Sequence, residues 1–289
     1  MIIGVHTSVA LGLHMAVERA RDLKCNAMQF FWRNPRSWAR VPLSKEEVSL
    51  FKGARKASAL EIAVIHTPYL INLSSPDDAL FEKSVELFKK EFEAAVLLGV
   101  DFLVTHLGSH HGKGADSALE RIECAMRRVL ELSVARGKNY PVVLFENSAG
   151  GGNTFGSNID EIGRALDAAD RAGLSAGFCF DTCHGFAAGY PLESRADVKA
   201  LATLIDNKVG LKRLRLIHLN DSKGALDSRV DRHEHIGKGK IGLKGFRAFL
   251  GMKEFKRLPI ILETPKETEM DDPKNIKIVK RIVEEQPNG

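Results

Sequence analysis

The chain has 289 residues, 44% of them hydrophobic and 27% charged, with a net charge of +5 and an isoelectric point near 9.0. No stretch is long and apolar enough to span a bilayer, and four cysteines are too few for a disulfide framework at this length. A mild basic excess is compatible with nucleic acid and excludes little, so the placement of the cations matters more than their number.

The N-terminal Met1-Ile2-Ile3-Gly4-Val5 has neither the basic region nor the long apolar region of a signal peptide and reads as the start of a strand. A cytoplasmic, reducing setting is therefore expected. Eight apolar runs follow at fairly even intervals, at 2–8, 27–33, 62–68, 102–108, 141–147, 177–184, 214–221 and 258–265. Their C-terminal ends carry His6, Gln29, His66, His106, Glu146, Asp181, His218 and Glu263. Between them lie stretches of helical periodicity. The first is 13–23. The second opens on Ser44-Lys-Glu-Glu47, a capping-box pattern, with Phe51, Ala54, Ala57 and Ser58 as its inner face. Pro76 begins a third, Gly99 stops it, and 115–136 is a fourth that Gly137 follows. Asn158-Ile-Asp-Glu161 caps a fifth, and 196–207, 243–250 and 272–283 complete the set.

Eight buried strands alternating with helices close a (β/α)8 TIM barrel, a single domain over 1–289, and such barrels gather strand-end side chains into one mouth. A doubly wound open sheet is the rival, but no GxGxxG or GxxxxGK[ST] loop follows the first strand. Gly150-Gly-Gly152 lies after the fifth strand and suits a sharp turn or a close backbone approach.

A single strand-end histidine is more often structural than a ligand. Here His66, His106 and His218 join Glu146, Asp181 and Glu263 from six strands at one mouth, and three carboxylates buried together require cations. Mixed imidazole and carboxylate favours zinc over magnesium. Asp181-Thr-Cys-His184 and Asp231-Arg-His233 extend the inventory to five histidines, two aspartates and two glutamates. That is enough for three metals, whose charge would exceed that of the four carboxylates and suit a phosphodiester. Cys179 and Cys183 lack CxxC spacing and read as small buried residues.

The motifs His66-Thr-Pro-Tyr69, Thr105-His-Leu-Gly108, Leu144-Phe-Glu-Asn-Ser-Ala-Gly150, Phe180-Asp-Thr-Cys-His184, Ile217-His-Leu-Asn-Asp-Ser222, Val230-Asp-Arg-His233 and Ile261-Leu-Glu-Thr-Pro265 resemble, in order, those of the endonuclease IV family. These are zinc-dependent apurinic/apyrimidinic endonucleases of base excision repair, built on xylose isomerase-like barrels. The resemblance implies a first zinc on His66, His106 and Glu146. Glu146 would bridge to a second held by Asp181, His218 and Glu263, and His184, Asp231 and His233 would hold the third. Manganese is an alternative at one position. Glu146 and Glu263 would be catalytic, and metal-activated water would hydrolyse the phosphodiester 5′ to an abasic site in duplex DNA. The products would be a 3′-hydroxyl and a 5′-deoxyribose phosphate, and the same machinery would clear blocked 3′ ends. A monomer is expected.

The segment Phe30-Phe-Trp-Arg-Asn-Pro-Arg-Ser-Trp38 mixes cations and aromatics. Arg33 and Arg40 are candidate phosphate contacts, while Phe30 and Phe31 are expected to pack beneath the loop. The resemblance places Arg36 and Tyr69 where the family pries open the duplex. Arg232, with Lys223, Arg229, Lys238 and Lys240, forms either a solvated basic loop or a phosphate track. The sequence departs from the family at Leu11, where a glycine is common, and at Ser37 and Pro191. A sugar isomerase of related architecture is the rival enzyme: Glu146, Asp181, His218 and Glu263 alone would fit it, but His66, His106, His184, Asp231 and His233 would be left without a role. A non-enzymatic metal- or DNA-binding protein is a third reading, disfavoured by ligands at a barrel mouth.

Overall fold

The apolar runs form strands β1 (Ile3–His6), β2 (Ala27–Phe30), β3 (Ile62–His66), β4 (Phe102–His106), β5 (Val142–Glu146), β6 (Ala176–Asp181) and β7 (Leu214–His218). These are bounds in a computed structural model that describes residues 1–39, 42–136 and 140–286. A two-residue ribbon follows, β8 (Asp221–Ser222) against β9 (His233–Glu234), and β10 (Ile260–Leu262) supplies the eighth barrel strand. All barrel pairings are parallel, in the order β1-β10-β7-β6-β5-β4-β3-β2, and β1–β2 pairing closes the ring. The chain is thus a (β/α)8 TIM barrel. A Cβ on Gly4 would lie 2.0 Å from the Ala27 carbonyl oxygen, so β1 approaches β2 closely only because that position has no side chain.

Helices α1 (Leu13–Asp22), α2 (Lys45–Lys56), α3 (Asp78–Leu98), α4 (Ala115–Arg136), α5 (Ile159–Arg171), α6 (Thr182–Ala187), α7 (Arg195–Lys208), α8 (Gly242–Leu250) and α9 (Asp271–Glu284) connect the strands. Both capping boxes form: Ser44 with Glu47, and Asn158 with Glu161. Three expectations need correction. The third helix starts at Asp78 rather than Pro76, because the Asp77 side chain accepts from the Leu80 N–H and takes the cap. Of the face expected on the second helix only Phe51 is buried, since α2 ends at Lys56 and Ala57 is an exposed C-cap. The run 177–184 is not one strand, because Asp181 Oδ1 accepts from the His184 N–H at 2.8 Å and starts α6. Among the described residues no helix is long and apolar enough to cross a membrane.

The strands are buried on both faces, and successive side chains alternate between them. Ala27, Val64, Val104, Leu144, Cys179, Leu216 and Ile261 point inward and pack on one another as an apolar plug. Two residues further along the same strands stand Gln29, His66, His106, Glu146, Asp181, His218 and Glu263. Period-two geometry therefore raises a polar layer directly above the plug. The outward residues pack against the helices in a second and larger core.

Candidate metal centre

One ligand atom from each of His66, His106 and Glu146 lies within 4.8 Å of the others. The same holds for Glu146, Asp181, His218 and Glu263, and for His184, Asp231 and His233. Glu146 belongs to two groups. Its Oε2 is 2.9 Å from His66 Nε2 and 3.4 Å from His106 Nε2, while its Oε1 is 2.9 Å from His218 Nδ1. His218 Nδ1 is also 3.2 Å from Glu263 Oε2. The third group depends on the β8–β9 ribbon, which swings Asp231 and His233 over the mouth. His233 Nε2 then lies 3.6 Å from Asp181 Oδ2 and 3.5 Å from Asp231 Oδ1. Glu146, Asp181, His184 and His218 are buried, whereas Asp231 is exposed at the rim.

The hydrogen bonds fix which imidazole nitrogen is free. His66, His184 and His233 each direct Nδ1 at a backbone carbonyl, those of Thr67, Asn147 and Glu263, at 2.8, 3.0 and 3.0 Å. A carbonyl only accepts, so the proton sits on Nδ1 and the Nε2 lone pair faces the cluster. His218 is reversed. Gln29 Nε2 donates to Glu263 Oε1 at 2.5 Å, which turns its Oε1 to accept from His218 Nε2 at 2.8 Å and leaves Nδ1 facing the carboxylates. The Nε2 atoms of His184 and His233 are buried without a well-directed hydrogen bond, although Asp231 Oδ1 lies 3.0 and 3.5 Å from them. Buried donors and acceptors are seldom left so, and a cation among these lone pairs and carboxylates would satisfy both. The donor set of nitrogen and carboxylate oxygen suits zinc.

Charge in the pocket points the same way. Burial alone would raise the Glu146 carboxyl, yet the imidazoles of His106, His218 and His184 around it hold it well below the ordinary range. Glu263 is likewise held well down against burial, by His218 and His6. His106 is pushed down to about 4 by burial. His184 rises well above the usual imidazole value despite burial, because Asp181, Asp231 and Glu146 surround it. Ionised carboxylates compete here for protons that a divalent cation would displace. Cys183 also lies within reach of Asp181 and His233, but burial pushes its thiol up to about 12.

Several residues around the cluster escape a reading of the sequence. Gln29 stands at its strand end with no role legible from the chain alone. Asn147 accepts from the Asp181 N–H at 2.7 Å, and Asn220 donates to Asp181 Oδ2 at 2.6 Å while accepting from the Glu263 N–H at 2.8 Å. Their signal is position: each follows a proposed ligand by one or two residues. His6 Nδ1 stands 3.4 Å from Glu263 Oε1, in contact with the cluster but outside the three groups.

Beside this cluster opens a cleft of about 650 Å³, lined among others by His6, Phe31, Pro35, Tyr69, Glu263 and Lys266. A hollow of about 710 Å³ on the outer wall, near Arg195, Lys199 and Lys256, contains none of these groups. Tyr69 is 65% exposed, its ring 5.9 Å from that of His66. Arg36 is exposed, its N–H donating to Asn34 Oδ1 at 2.9 Å. Arg232 is exposed on the ribbon loop with Lys223, Arg229, Lys238 and Lys240. Arg33, expected at the phosphates, is turned inward: its side chain is 7% exposed and donates to the carbonyls of Ser37 and Ala39 at 2.7 and 2.9 Å. Phe30 is buried as expected, its ring 5.4 Å from that of Phe51, but Phe31 is only half-buried. Its ring lies 4.5 Å from His6 and 5.5 Å from Tyr69, as a wall of the cleft. Arg40 lies outside the described residues. Leu11 adopts a left-handed backbone at φ 70°, a conformation that favours glycine. Gly150 and Gly152 also have positive φ, and a Cβ at Gly150 would meet the Arg229 side chain at 3.0 Å, so this segment both turns and is closely approached.

Residues 17–284 match the family described as xylose isomerase-like TIM barrel. A probable endonuclease 4 of Methanoculleus marisnigri is 43% identical over 98% of this chain and 99% of its own length. That of Cenarchaeum symbiosum is 41% identical over 98% and 99%. The crystal structure of endonuclease IV from Thermus thermophilus superposes with a TM-score of 0.86 at 38% identity, covering 99% of this chain and 100% of that one. A D-tagatose 3-epimerase-like protein shares the fold, with a TM-score of 0.74 at 19% identity over 98% and 97% of the two chains. With full-length relatives at this identity and the barrel and cluster in place, the chain belongs to the endonuclease IV family.

Proposed function

We propose that this chain is a zinc-dependent DNA repair endonuclease that cleaves the phosphodiester 5′ to abasic sites in duplex DNA. It would leave a 3′-hydroxyl and a 5′-deoxyribose phosphate, clear blocked 3′ ends at the same site, and act as a monomer. The reading is carried by one observation: nine side chains meet in three groups, two of which share Glu146, and the third turns two buried histidine nitrogens toward carboxylates without a well-directed hydrogen bond.

His66, His106 and Glu146 would hold the first zinc, Glu146 with Asp181, His218 and Glu263 the second, and His184, Asp231 and His233 the third. Bound there, the metals supply a water of lowered pKa and positive charge for in-line displacement at phosphorus. The protein's part is positional. Glu146 fixes the spacing of the first two groups, since its two oxygens face different histidines. Gln29 holds Glu263 and His218 together, so one amide sets both a carboxylate and an imidazole. Arg36 and Tyr69, both exposed and the latter with its ring beside that of His66, would open the duplex at the lesion, where no base needs to be unpaired. Arg232 and the neighbouring lysines would follow the phosphates.

An isomerase would need only Glu146, Asp181, His218 and Glu263. The group of His184, Asp231 and His233, with the two buried nitrogens in it, argues against that reading. The test is incubation with duplex DNA carrying one synthetic abasic site. Nicking 5′ to the lesion, abolished by prolonged chelation, is expected; an intact strand with zinc-loaded protein would refute the reading.

A further inference from the structure

Glu91 is a fully buried carboxylate on α3 that takes no part in the metal cluster. Its Oε2 accepts from the indole Nε1 of Trp32 at 2.5 Å, and its Oε1 lies 3.3 Å from Arg33 Nε. Arg33 in turn donates its two terminal nitrogens to the carbonyls of Ser37 and Ala39. One carboxylate thus grips the start of the segment 32–39, and the guanidinium it faces grips the end. Arg36 lies between these two grips and is exposed, its N–H tied to Asn34 Oδ1. The arrangement leaves Arg33 Nε and Glu91 Oε1 buried without a full hydrogen bond. A buried charge pair of this kind adds little stability and is retained where it fixes one conformation. An acidic residue inside the apolar stripe of Leu87, Phe88, Ala94 and Ala95 on α3 needs such a reason.

We infer that Glu91, acting through Trp32 and Arg33, is the positioning residue of the DNA-reading loop. It locks the loop before DNA arrives, holding Arg36 beside Asn34 and Pro35, which line the cleft. This rests on the endonuclease reading for what the loop does, but not for how the loop is held. Pre-ordering the loop spares its ordering cost on binding, so losing the clamp weakens substrate capture and leaves the chemical step alone.

The experiment uses the full zinc-loaded chain with Glu91→Gln, Arg33→Ala, the double variant and Trp32→Phe. Each single variant of the ion pair is expected to raise KM for an abasic duplex at least about tenfold, with kcat within about threefold and zinc content unchanged. The double variant is expected to be no worse than the poorer single, because both remove one clamp. Trp32→Phe, which keeps the ring and loses the N–H, provides a milder lesion should the charge variants not fold, with KM raised several-fold. Without DNA, trypsin should cut after Arg36 at least about tenfold faster in the clamp variants than in the parent. In a Trp38→Phe background, Trp32 emission should become more accessible to quencher. Unchanged cleavage after Arg36, multiplicative KM effects, or a loss confined to kcat would overturn the clamp. Parent protein that fails to nick abasic DNA while the trypsin difference persists would overturn the function and leave the clamp standing.

Discussion

Glu263→Ala should abolish turnover while leaving DNA capture nearly intact. Glu263 Oε2 faces His218 Nδ1 at 3.2 Å and its Oε1 takes the Gln29 amide at 2.5 Å, in a side chain only 14% exposed. Its charge is therefore weakly screened. Loss of one preorganised electrostatic group at the reacting centre costs about 2.7–4 kcal/mol of transition-state stabilisation. At about 1.4 kcal/mol per tenfold in rate, kcat should fall by roughly 10²–10³. Arg36, Tyr69 and Arg232 lie outside the altered contacts, so Kd for an abasic duplex should stay within about threefold. Single-turnover cleavage of a labelled duplex gives the rate and a gel-shift titration gives the affinity. Cleavage within about tenfold of the parent would refute the ligand role, as would a loss explained wholly by weaker DNA binding.

Gln29→Leu should lower metal affinity about 10–100-fold, because the amide orients both Glu263 and His218; competition with a chromogenic chelator measures it, and unaltered affinity would remove the amide from the site. Arg36→Ala and Tyr69→Ala should each weaken binding to an abasic duplex by about 1–3 kcal/mol while sparing bound zinc, read by anisotropy and metal analysis.

The barrel is legible because buried parallel strands are short apolar runs, and each ends on a polar residue two positions past an inward one, as Val64 precedes His66 and Leu144 precedes Glu146. That same alternation exposes the strand-end members of the cluster. Asp231 and His233 reach it through the β8–β9 ribbon, whose two-residue strands carry no periodic signal and whose place comes from family resemblance. Arg33 looks like a phosphate contact because sequence shows a cation but not where it points. Its partner Glu91 is more than fifty positions away, and only the fold brings them together. Gln29 is visible without a role, since an amide that bridges two ligands is recognised only once both are in place.

Metal analysis of the purified chain, paired with anomalous scattering at the zinc edge, addresses the cluster most directly. Three zinc ions per chain are expected, one within each of the groups around His106, Glu263 and His233. A chain that binds one ion or two when zinc is in excess, with His184 and His233 left free, would contradict the trinuclear account.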